Sequence, residues 1–63
     1  MKMTLEQMEA LEKAGIIEVK GISGIPTDAK TASQAPQLCQ VHSMASKAYN
    51  LSYDGKEFIL IGA

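Results

Sequence analysis

Asp54-Gly55, set between two runs rich in β-branched and aromatic residues, constrains this chain more than any other feature. Leu51 to Tyr53 on one side and Lys56 to Ala63 on the other read as the arms of a β-hairpin. Asp tolerates, and Gly readily adopts, the positive φ that a two-residue turn demands. Such a turn sets Tyr53 opposite Lys56, Ser52 opposite Glu57 and Leu51 opposite Phe58. Side chains alternate along a strand, so Leu51, Tyr53, Phe58 and Leu60 share one face, the core side. Ser52, Glu57, Ile59 and Ile61 occupy the other. A lone hairpin is marginal in water, so the remaining chain has to cover it.

Upstream, Thr4-Leu5-Glu6-Gln7 is a capping box, with Met3 and Met8 at the positions of a hydrophobic staple. Leu5, Met8 and Leu11 recur at helical spacing, and Gly15 is the natural terminator, which predicts a helix over residues 5–14. Ile16 to Lys20 predicts a short strand with Ile17 and Val19 on one side and Ile16 and Glu18 on the other. Residues 21–35 are rich in Gly, Pro and hydroxyl side chains and predict an irregular loop, with Thr27 or Asp28 placed to cap a short turn of helix. Ser33 as N-cap and Pro36 in the first turn then open a second helix. Its stripe is Leu38, Val41, Ala45 and Ala48, extended by Met44 and ended at Asn50. The predicted order is α-β-loop-α-β-β. This is one small α+β domain over residues 1–63, with a three-stranded sheet and its C-terminal hairpin packed against two helices.

A 63-residue chain buries only about 60% of its unfolded surface, and such domains often draw extra stability from disulfides, metals or association. One cysteine excludes an internal disulfide, and one cysteine with one histidine falls short of a structural zinc site. Association with a partner or a second copy is the remaining route. The net charge is −1 and all six basic residues are lysines spread along the sequence, without an arginine, which argues against nucleic acid as a partner. No apolar run is long enough to span a membrane and no signal-peptide pattern is present, so a cytoplasmic setting is expected.

Three groups of residues invite chemistry. Cys39 and His42, three apart on the predicted second helix, would be neighbours there, as a nucleophile with its base or half of a metal site. A buried apolar cysteine beside a flanking histidine is the plainer reading, and no catalytic, metal or cofactor site is assigned. Glu6, Glu9 and Glu12 form an acidic helix face, ordinary for a solvated surface or usable for recognition. Ile59 and Ile61 lie on the far side of the hairpin with Ile16 or Ile17 beside them. Either a helix covers them or another protein does, and a sheet ending in Phe-Ile-Leu-Ile invites strand addition.

The expected function is a small non-catalytic protein-interaction module that acts by binding as an inhibitor, adaptor or regulator. It would use Ile59, Ile61, Ile16, Glu6, Glu9 and Glu12 toward another protein or toward a second copy as a homodimer. Small size and the lack of motifs suit a bacterial or phage accessory protein, for example an inhibitor of a host or defence protein. The alternatives are a small homo-oligomeric enzyme or metal-binding protein using Cys39 and His42, and a weak nucleic-acid binder that works through its lysines.

Overall fold

The computed structural model describes residues 1–62; Ala63, the expected end of the hairpin, lies outside the described residues. The chain is α+β, with two helices and a five-stranded antiparallel sheet. In order come β1 (Lys2–Thr4), α1 (Leu5–Lys13), β2 (Ile17–Gly21), α2 (Ala29–Gln34), a 3₁₀ turn (Pro36–Leu38), β3 (Cys39–Ser43), β4 (Ala48–Tyr53) and β5 (Glu57–Gly62). Across the sheet the order is β1-β5-β4-β3-β2. The predicted three-stranded sheet is therefore corrected to five strands, and the predicted order gains a leading strand and exchanges its long second helix for a hairpin.

The first helix forms as its sequence dictates. The Thr4 hydroxyl accepts from the Gln7 amide at 3.1 Å, and the Gln7 side chain accepts from the Thr4 amide at 2.9 Å. Met3 and Met8, the staple pair, are both buried. At the far end Gly15 has φ +76°. The Gly15 amide donates to the Glu12 carbonyl and the Ile16 amide to the Leu11 carbonyl, both at 3.0 Å, which is the bond pair of a Schellman stop. The chain then turns directly into β2.

The segment expected as an irregular loop holds α2, capped by Asp28, whose Oδ1 accepts from the Thr31 amide at 2.7 Å. Ala29 and Ala32 are fully buried. Their small side chains admit a close approach of α2 to α1.

The predicted second helix, from its Ser33 cap to Asn50, is instead the last turn of α2, the 3₁₀ turn, strand β3, a turn and the start of strand β4. Along Cys39 to His42 apolar and polar residues alternate, so Cys39 and Val41 are buried while Gln40 and His42 face away. The pairing of β3 with both β2 and β4 satisfies backbone groups on its two sides.

The C-terminal hairpin is present with its register displaced by two. Tyr53 pairs with Phe58, Ser52 with Ile59 and Leu51 with Leu60. Asp54 closes a longer loop through its carboxylate, accepting from the Lys56 and Glu57 amides at 2.8 and 2.7 Å. A shift of two preserves the faces, so Leu51, Phe58 and Leu60 are buried and Tyr53 stacks on Phe58 with ring centroids 4.5 Å apart.

Both helices lie on this face. Met8, Ala29 and Ala32 join Met3, Val19, Cys39, Val41, Leu51, Phe58 and Leu60 in one buried cluster. The other face carries Lys2, Glu18, Lys20, Gln40, His42, Asn50, Ser52, Ile59 and Ile61, and neither helix covers it.

Candidate interaction surface

The sheet order separates the residues expected to form a binding surface. Ile61 is exposed on the open face opposite Asn50, and Ile59 is half-buried between Lys2 and Ser52. Ile16 is exposed just before β2, at the far edge of the sheet, three strand positions from β5. At a strand spacing of about 4.8 Å that is about 14 Å. The expected grouping of Ile16 or Ile17 with Ile59 and Ile61 is therefore not formed. Strand addition at β5 is blocked over Glu57–Leu60 as well, because β1 and Met1 pair there on one side and β4 on the other.

Nor do the three glutamates make one recognition face. Glu6 and Glu9 are exposed on α1, whereas Glu12 is half-buried and its Oε1 accepts from the Ala29 amide at 3.1 Å. A carboxylate at the first amide of α2 satisfies a donor that the helix itself cannot.

Cys39 and His42 fall on opposite faces of β3, since residues three apart along a strand point opposite ways. Cys39 is in the core, and burial pushes its thiol pKa up. His42 is on the open face, paired across the ladder with Glu18. The Glu18 carboxylate lies 2.8 Å from the Lys20 ammonium, whose hydrogen bond and charge hold its pKa below the usual carboxylate range. Among the described residues no group of three or more His, Cys, Asp or Glu is placed to hold a metal ion.

The exposed apolar residues gather elsewhere. Among the described residues seven large apolar side chains are exposed: Met1, Ile16, Ile22, Ile25, Leu38, Met44 and Ile61. Five of them flank the edge strand β2. At its beginning, the Met44 amide donates to the Ile16 carbonyl at 3.3 Å, and both residues line a shallow cleft of about 170 Å³ with Gly15, Glu18, His42 and Ser43. At its end, the Ile22 amide donates to the Leu38 carbonyl at 2.9 Å and the Gly21 amide to the Ile25 carbonyl at 2.8 Å. These bonds tie the backbones of Ile22, Ile25 and Leu38 into one cluster, with side chains 62, 67 and 58% exposed. The outer edge of β2 is partly sealed, because the Thr27 amide donates to the Val19 carbonyl and Pro26 bridges Lys20.

Ile22 and Ile25 sit in a Gly- and Pro-containing stretch without periodicity, so no pattern rule selects them. Leu38 and Met44 fall on the stripe of a predicted helix that does not form. The available signal was three large apolar residues, Ile22, Ile25 and Leu38, in segments that contain no charged side chain. Comparison with protein-family models, with curated proteins and with solved structures finds no match to the chain.

Proposed function

We propose that this protein is a non-catalytic interaction module that acts by binding, as an inhibitor, adaptor or regulator of another protein chain. The observation that carries this reading is the concentration of exposed Ile16, Ile22, Ile25, Leu38 and Met44 along the β2 flank. A small protein that leaves large apolar side chains grouped on one side, while its core is closed elsewhere, has a surface suited to a partner. Cys39 in the core and His42 on the open face, pointing apart, give no support to the nucleophile–base alternative.

The test is site-specific photo-crosslinking in cells of the native host. A photoreactive residue at position 38 is expected to trap a protein chain, while the same residue at Glu6 on α1 traps none. Equal trapping at both positions, or none at either, would refute the assignment of the β2 flank as the binding surface.

A further inference from the structure

Three different donor groups meet at the cleft beside the start of β2, and we propose that His42 and Met44, with Glu18 next to them, bind a soft monovalent metal ion, copper(I). The inference goes beyond the binding reading above and does not depend on it.

His42 lies on the open face of β3, directly opposite Glu18 on β2. The Met44 amide donates to the Ile16 carbonyl at 3.3 Å, which carries the pairing of the two strands one step past Ile17 and Ser43. Residues two apart along a strand share a face, so Met44 follows His42 on the open side. All three residues line the same cleft of about 170 Å³, which has room for an ion. Opposed residues of an antiparallel pair stand about 5 Å apart, and residues two apart along a strand about 7 Å. An imidazole, a thioether and a carboxylate can span those distances toward one point.

The donors select the ion. Thioether sulfur is a soft donor that suits copper(I), and imidazole binds copper as well. Zinc takes four ligands from thiolate, imidazole and carboxylate, and one imidazole with one carboxylate falls short of that set. Charge points the same way. The Lys20 ammonium lies 2.8 Å from the Glu18 carboxylate on the same face. It offsets the carboxylate and repels a divalent ion more than a monovalent one. The Glu18 side chain is still 60% exposed, which leaves its second oxygen free to turn toward the cleft. Exposure also sets Met44 apart. It is 78% exposed, so its sulfur is within reach of an ion without any opening of the core, whereas Met3 and Met8 are buried. Met1 is exposed too, but it extends β1 at the opposite edge of the sheet. Cys39, whose thiol would be a stronger soft donor, is held away on the core side of β3.

Competition between the purified chain and a coloured copper(I) chelator, run without oxygen and with ascorbate as reductant, reads the inference directly. The wild type is expected to draw copper(I) from the chelator. Met44→Leu, which keeps the apolar bulk, and His42→Ala should each weaken the affinity by at least about tenfold with an unchanged circular dichroism spectrum. Glu18→Gln should cost less than either, because Lys20 shares that carboxylate. Silver(I), a redox-inert ion of the same charge and softness, should shift the methyl resonance of Met44 and leave those of Met3 and Met8 in place. Failure to capture copper(I) would overturn the inference, as would capture that survives Met44→Leu or is lost in a folded Cys39→Ala variant. A larger loss with Glu18→Gln than with Met44→Leu, or displacement of copper(I) by equimolar zinc, would refute the choice of a soft ion.

Discussion

Ser46, in the turn between β3 and β4, has φ 61° and is the one described residue other than glycine in the left-handed region. A Cβ in that conformation costs about 1 kcal/mol, and glycine escapes the cost while adding flexibility to the unfolded chain. Ser46→Gly is accordingly expected to raise stability by about 0.5 kcal/mol in urea unfolding. Gly15→Ala runs the other way. A Cβ there meets nothing within 4 Å, so the penalty is purely conformational, a loss of about 1 kcal/mol by the same measurement. Three carboxylates are held low, Glu18 by the Lys20 ammonium and two aspartates by backbone amides. Amides of Glu57 and Lys56 bonded to Asp54, and the Thr31 amide bonded to Asp28, hold both acids below the ordinary carboxylate range. A folded-state pKa lowered in this way contributes stability above the unfolded value of about 3.9, which is lost as the pH falls through the folded value. Stability should therefore decline below about pH 4. Asp28→Asn with Asp54→Asn, which keeps an acceptor oxygen but does not titrate, should flatten that decline in thermal melts recorded against pH.

Elements differ in how much of their fate is written locally. For α1, the Thr4–Gln7 box and Gly15 act within a few residues, so the helix and both its ends were legible. The C-terminal hairpin was legible in its faces but displaced by two in register. The Asp54 carboxylate binds two amides of the loop and so favours a longer connection than the Asp-Gly pair alone implies. The β3–β4 hairpin was hidden. Leu38, Val41, Ala45 and Ala48 fall at helical spacing by coincidence, and the turn at Ser46 lacks the glycine that marks such turns. Strand β1 is three residues long and pairs with a distant partner, which no local signal can announce. The β2 flank was legible only at Ile16, because exposure of Leu38 and Met44 follows from losing the helix. The strand assignment has a measurable consequence. Cys39, inward on β3 and buried, should resist alkylation in the folded protein and react readily once urea unfolds it. Fast alkylation of the native thiol would be inconsistent with this strand and its register.

At the scale of the molecule the core is small. A domain of this length is stable by roughly 3–9 kcal/mol. Phe58 is fully buried at the junction of β1, β4 and β5, and replacing a buried Phe by Ala costs about 3–5 kcal/mol. Phe58→Ala is expected to remove about half or more of the stability, read as a thermal transition shifted down by tens of degrees or lost.

Four of the five strands are neighbours in sequence order, from β2 through β5, and each pairing among them closes a short loop or one that holds α2. The exception is β1, whose Met3 pairs with Phe58. Closing a loop of that length rather than one of four residues adds about 2 kcal/mol of entropy to the folding barrier if it happens early. Kinetics should therefore separate the two ends of the sheet. Val41→Ala is expected to slow refolding, while Met3→Ala leaves the refolding rate nearly unchanged and speeds unfolding. On the ribosome the same topology imposes a delay: Met3 emerges early, yet its place in the sheet exists only after Phe58 has been added, so the strand that is made first is docked last.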